Sequence, residues 1–240
     1  MRCGSTSSAS SNSETAMMSP SLRTIAPAVH VAESPQRFLG LEVGSRMTVL
    51  SLQGGLLVHS PIAMDPAALA HLGVARWALA PNLFHHLHAG PWAAAGLALW
   101  GAAGLPEKRP DISFAGILAA DDHPFGSEVA VHPLSCFPMS NEVVVLHRPS
   151  GTLITTDLVF HFTAGDPWLT RTAMACLGGY PGCRTTVLER FGMDREAARR
   201  DLSVILSWDF DRLVMAHGAV IERGGREALR QAFAWLGPLG

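Results

Sequence analysis

The order of elements along the chain predicts a layered α/β fold. Three features carry that prediction. Short apolar runs bounded by Gly and Pro alternate with helix-like stretches in the first half. A strand-rich stretch occupies residues 128–160, and further helix-like stretches follow it. Two successive blocks, each with strands first and helices after, expect two mixed sheets packed together and covered outside by helices. A 48% hydrophobic content is ample for a core, and 16% charged residues argues against disorder over most of the 240 residues.

Taken in order, "TVLSL" (48–52), a "QGG" turn and "LLVHSPI" (56–62) read as a β-hairpin, because the glycines tolerate positive φ. "DPAALAHLG" (65–73) reads as a short helix capped by Asp65 and stopped at Gly73. "RWALAP" (76–81) returns to a buried strand. After the loop "NLFHHLHAG", "PWAAAGLALWG" (91–101) reads as a buried helix with Pro91 in its first turn. "EVAVHPL" (128–134), "NEVVVLHR" (141–148) and "GTLITTDLVF" (151–160) read as strands, the last two joined by the tight turn "PSG". Helices are expected at 166–178 and 194–207, a strand at "RLVMAH" (212–217) and a last helix at 224–236. With no Pro- or Ser-rich linker inside them, residues 38–240 are expected to form a single domain. Residues 1–37 are expected to be a disordered Ser-rich tail and lead-in. The tail's Ser-rich, acid-poor composition also fits an organelle transit sequence or a start-site extension, although only one arginine precedes Arg23.

A net charge of −2 supplies no basic field for nucleic acid, and no apolar run reaches the ~20 residues needed to span a bilayer. Four cysteines without C-x-x-C spacing fit a reducing compartment, hence a cytoplasmic location. The expected partner is a small-molecule substrate, with no nucleic acid and no membrane. Oligomeric state is not readable from these residues.

Polar groups that end buried strands are the candidates for chemistry. His85 and His86 follow "RWALAP", Asp157 lies within "LITTDLVF", and His217 ends "RLVMAH". A carboxylate in an apolar run needs a partner. Imidazole with carboxylate is a mixed donor set suited to zinc, iron or manganese. Asn82 is placed to cap its loop or to orient His86. Lys108 and Arg109 read as a solvated charge pair.

The segments "LLVHSPI", "APNLFHHLHAG", "NEVVVLHRPSGTLITTDLVF" and "RLVMAHG", in this order over residues 38–238, resemble a divergent, functionally uncharacterised branch of the metallo-β-lactamase fold superfamily. "KRPD" and "WDFDR" belong to the same resemblance. It implies an αββα sandwich with metal where the two sheets meet. In place of the family's H-x-H-x-D-H the chain has "PNLFHH", so Pro81 and Leu83 stand where two histidine ligands would be. The family's next histidine precedes a Gly-Ser or similar pair, the matching region "CFPMSNE" has none, and His132 lies several residues early. The first metal subsite is therefore expected to be lost. The resemblance places the second on His86, Asp157 and His217, with His85 in the family's aspartate position.

The expected site is thus mononuclear, built from His85, His86, Asp157 and His217 around one divalent ion, zinc first and iron or manganese otherwise. His85 either ligates or turns away to act as base, and His161 is the second candidate proton carrier. The expected activity is hydrolysis of an ester, thioester, amide or phosphoester. The alternatives are a binding or scaffold domain that has lost its metal, or an iron redox protein.

Overall fold

A computed structural model describes residues 20–120 and 122–238. "NEVVVLHR" reads as a continuous apolar run because its strand is buried on both faces. Strand Val143–His147 sits in a four-stranded sheet in the order Val129–Pro133, Val143–His147, Thr152–Ile154, Arg212–Val214, antiparallel except for the last pair. Val129, Val131, Val143, Val145, Ile154 and Val214 point to one face and pack against the other sheet. The intervening Ala130, Val144, Leu146, Leu153 and Leu213 point outward. Period-two alternation thus feeds two cores from one sheet.

The outward face is covered by helix Arg195–Ser207, through Ala198, Leu202 and Ile205, and by helix Gly225–Ala232, through Leu229. Asp194 caps the longer helix, accepting from Ala197 N–H at 2.7 Å. Gly225 is required by space, since a Cβ there would lie 2.8 Å from the Asp211 carbonyl oxygen and from Leu213.

The facing sheet has seven strands in the order Leu22–Ala26, Val29–Ser34, Ser45–Leu52, Gly55–His59, Ala75–Ala80, Ala98–Gly101 and Gly116–Ile117. The first four pair antiparallel and the rest parallel. Trp92 fills its outer side, fully buried, with Nε1–H donating to the Ile62 carbonyl at 3.0 Å. The two mixed sheets flanked by helices are those expected. No helix among the described residues is long and apolar enough to cross a membrane.

The structure changes three expectations. The folded unit starts well before residue 38, because Leu22–Ala26 and Val29–Ser34 form the edge of the large sheet; residues 1–19 of the expected tail lie outside the described residues. The helix expected at 91–101 is split into helix Ala89–Ala94 and strand Ala98–Gly101, with Gly96 at φ +95° between them. Pairing with Ala75–Ala80 overrides the helix preference of the alanines. The helix at 65–73 shrinks to one 3-10 turn, Pro66–Leu69, with Asp65 as its cap. A further helix, Val187–Gly192, was not expected, although "TVLE" (186–189) spells the capping box that starts it.

His59, the last residue of Gly55–His59, is fully buried, and its Nε2 has no hydrogen-bond partner. Burial, and then the neighbouring His85, push its pKa down to about 3. The folded protein therefore holds His59 neutral, while the unfolded chain protonates it below the ordinary value of 6.5. Its contribution to stability is intact above pH 6.5 and is lost as pH falls towards 3. Between pH 7.5 and 4.5, wild type should lose about 2–3 kcal/mol more unfolding free energy than His59→Leu, measured by urea denaturation. An equal loss in both proteins would contradict this assignment.

Candidate metal centre

Three polar side chains meet where strands of both sheets run out. His85 lies on the loop after Ala75–Ala80, Asp157 on the loop after Thr152–Ile154, and His217 just beyond Arg212–Val214. His85 Nε2 and His217 Nε2 are 3.2 Å apart. Each faces Asp157 Oδ1, at 3.4 and 3.3 Å respectively. The three atoms form a nearly equilateral triangle.

The far side of each group is tied down. His217 donates Nδ1–H to the Gly44 carbonyl at 2.6 Å, which leaves its Nε2 lone pair facing the triangle. His85 shares a 2.9 Å hydrogen bond between Nδ1 and Ser60 Oγ. With the serine accepting, the same tautomer follows for His85. Asp157 Oδ2 accepts from Asn82 Nδ2 at 2.7 Å, so Oδ1 turns to the imidazoles.

Asn82 couples the site together. Its Nδ2 also donates to Thr156 Oγ1 at 2.9 Å, and its Oδ1 accepts from Phe84 N–H at 2.9 Å and His85 N–H at 2.7 Å. One buried amide thereby fixes the backbone of His85 and the carboxylate of Asp157. Below it, the buried Glu142 carboxylate accepts from Thr156 N–H at 2.6 Å and Asp157 N–H at 2.8 Å. Burial, then the nearby Asp157 charge, push Glu142 up to about 8. Burial also works to raise Asp157, but the imidazoles when protonated, His85 foremost, override it and hold this carboxyl well below the usual range.

Arg46 secures the third ligand loop, donating to the carbonyls of Met215 and Gly218 at 2.5 Å each and to Glu33. Gly218 is obligatory there: its φ is +84°, and a Cβ would lie 2.2 Å from the His161 carbonyl oxygen.

A metal fits this geometry. A tetrahedral ion with bonds of about 2.0–2.1 Å spaces its ligand atoms by about 3.3–3.4 Å, whereas right-angled positions at the same bond lengths give about 2.9 Å. The observed edges of 3.2–3.4 Å match the tetrahedral case. Three ligands are also the protein-donor count of catalytic zinc sites, which keep one position open.

Of the four expected ligands, His85, Asp157 and His217 come together and His86 does not. His86 Nδ1 accepts from Arg109 Nη1 at 3.0 Å, and Arg109 Nη1 also donates to the His86 carbonyl at 3.3 Å. Burial, then the charges of Lys108 and Arg109, lower the His86 pKa. His85 therefore joins the triangle, and its neighbour His86 is held by a guanidinium.

His161 donates Nδ1–H to the Ala219 carbonyl at 3.0 Å beside the His217 loop. His132 is bonded to Asp201 at 3.0 Å, which accounts for it structurally. Lys108 is exposed, as a solvated pair would be, and donates to the Leu83 carbonyl at 2.5 Å; the half-buried Arg109 grips Asp111 and His86. Ser60 and Glu142 were missed. Glu142 immediately precedes the strand Val143–His147, whose first four residues are apolar, so the argument that singled out Asp157 applied to it equally.

No protein-family model matches the chain, and no curated protein matches it by sequence. Solved structures do match in fold. A metallo-β-lactamase from Pseudomonas aeruginosa in its mono-zinc form superposes with a TM-score of 0.63 at 15% identity, covering 92% of this chain and 97% of that one. A metallo-β-lactamase from Erythrobacter litoralis gives 0.66 at 12% identity, covering 91% and 96%. A metal-soaked flavodiiron core from Synechocystis gives 0.62 at 12% identity, covering 91% of this chain and 61% of that one. The chain has the metallo-β-lactamase fold, as its sequence resemblance implied.

Asn82→Ala should lower the unfolding free energy by about 2–4 kcal/mol, because it strands two backbone N–H groups and frees the Asp157 carboxylate. Denaturant unfolding checks this, and a loss below 0.5 kcal/mol would show that the amide is not the coupling element described (about the effect of an ordinary surface change).

Proposed function

We propose that the protein is a mononuclear metal-dependent hydrolase on the metallo-β-lactamase fold. The triangle of Nε2, Nε2 and Oδ1 atoms carries the reading: its edges of 3.2–3.4 Å suit one small divalent ion. His85, His217 and Asp157 would hold that ion. When bound, it supplies Lewis acidity, polarising a substrate carbonyl or phosphoryl oxygen and acidifying water.

The chain's own groups do the rest. Gly44 and Ser60 hold the two imidazoles in the ligating tautomer, and Asn82 and Glu142 hold the aspartate from side chain and backbone. With His85 engaged in the triangle, His161 is the remaining candidate proton carrier. It keeps its own proton on Nδ1, against Ala219, so Nε2 is the basic nitrogen.

The tetrahedral edge lengths favour zinc. Two histidines and one aspartate also suit iron, and the fold is shared with a flavodiiron core, so the metal is read by elemental analysis. Protein purified without added metal should carry about one equivalent of zinc per chain, the single-ion occupancy of a three-ligand catalytic site. His85→Ala, Asp157→Ala and His217→Ala should each abolish retention, while His86→Ala keeps it. Chelation should remove hydrolysis across an ester, thioester, amide and phosphoester panel, and added zinc should restore it. A folded wild-type protein that takes up no metal and turns over none of these substrates would leave the scaffold alternative in place.

His161→Gln should lower kcat about 100-fold with metal content unchanged. Unaltered kcat would remove His161 from the mechanism.

A further inference from the structure

Large apolar side chains are exposed on the segments surrounding the triangle. Leu39, 88% exposed, sits beside Phe38 in the hairpin of residues 37–42, which leads to Gly44, the acceptor for His217. Helix Trp168–Cys176 packs on that hairpin, Thr170 Oγ1 donating to the Glu42 carbonyl at 2.8 Å, and its first residue, Trp168, is 70% exposed.

Leu87 is exposed directly after the two histidines, and Met139 is exposed beside Ser140, whose carbonyl takes the Leu83 N–H. Phe191, 90% exposed, rises from helix Val187–Gly192, which is tied to the same loop by Asp194 N–H to the Cys136 carbonyl. Apolar groups gathered around a polar centre mark a binding mouth more than they mark scattered surface residues.

Four cations near this rim are engaged, while Arg171 on helix Trp168–Cys176 has its Nε buried without a hydrogen-bond partner. Lys108 is held by the Leu83 carbonyl and lies 5.3 Å from the Phe84 ring centroid. Arg109 pairs with Asp111, Arg37 with Glu42, and Arg190 donates to Thr185. An incoming phosphate or carboxylate would have to break one of these four contacts to use those cations.

We propose that the site takes neutral carboxylic esters with an extended apolar acyl chain, an assignment that rests on the hydrolase reading above. Water adds across the acyl C–O bond and releases a carboxylic acid and an alcohol. The rim holds the chain while the ester lies at the triangle. Charged phosphoesters are poor substrates on this account.

Zinc-loaded protein assayed on p-nitrophenyl butanoate, octanoate and dodecanoate, against bis(p-nitrophenyl) phosphate, tests the preference. Between butanoate and octanoate, kcat/KM should rise about twofold or more per added methylene, and the phosphodiester should be the slowest substrate. Calorimetric binding of linear methyl ketones of increasing chain length reads the same preference without requiring turnover. Affinity should tighten along that series in wild type and flatten in Leu39→Ser and Phe191→Ser, both of which keep their metal. A flat ketone series, or faster turnover of the phosphodiester than of the esters, overturns the substrate assignment and leaves hydrolysis standing. Metal-loaded protein that cleaves no ester, thioester, amide or phosphoester overturns hydrolysis itself.

Discussion

Two imidazole nitrogens and a carboxylate oxygen sit at mutual distances of 3.2–3.4 Å in a largely buried position. With both Nε2 atoms unprotonated, three electron-rich atoms point at one another, and only a positive charge among them makes the arrangement favourable. The surroundings are built to keep it that way. Gly44 takes the Nδ1 proton of His217, Asn82 occupies the second oxygen of Asp157, and Ser60 meets the far nitrogen of His85. Each contact removes an alternative orientation in which the repulsion would be relieved by rotation.

The fold supplies the convergence. Strands of two facing sheets end at a common edge, so one ligand arrives from the large sheet and two from the small one. Strands buried on both faces leave little freedom at their ends. The loops beyond them are then pinned by buried polar groups, Glu142 under the Thr156–Asp157 turn and Arg46 across the His217 loop. Removing either partner of such a contact leaves a buried group unpaired, which costs more than the hydrogen bond contributes.

Much of this was legible in the amino-acid order. The strands of the small sheet stood out because burial on both faces makes them continuously apolar, and Asp157 and His217 stood out as polar groups closing such runs. The choice between His85 and His86 was not legible. Adjacent residues of a loop face different ways, and the direction here is set by Ser60 and Arg109, 25 and 23 residues away in sequence. The edge strand "LRTIA" is polar because much of it is exposed, while its inner neighbour "VHVAES" is buried over its first four residues but includes His30 among them, so neither reads as a plain apolar run. "AAAGLALWG" misled because alanine favours helix, while pairing with a neighbouring strand decided its second half.

The central claim is that one ion is held by His85, Asp157 and His217, with His86 outside its shell. X-ray absorption at the metal edge of protein purified without added metal, for wild type and for His86→Ala, tests it most directly. The account predicts two nitrogen donors from imidazole and one carboxylate oxygen, with both spectra superimposable. A shell that loses an imidazole when His86 is removed would contradict it, and so would a protein that retains no ion.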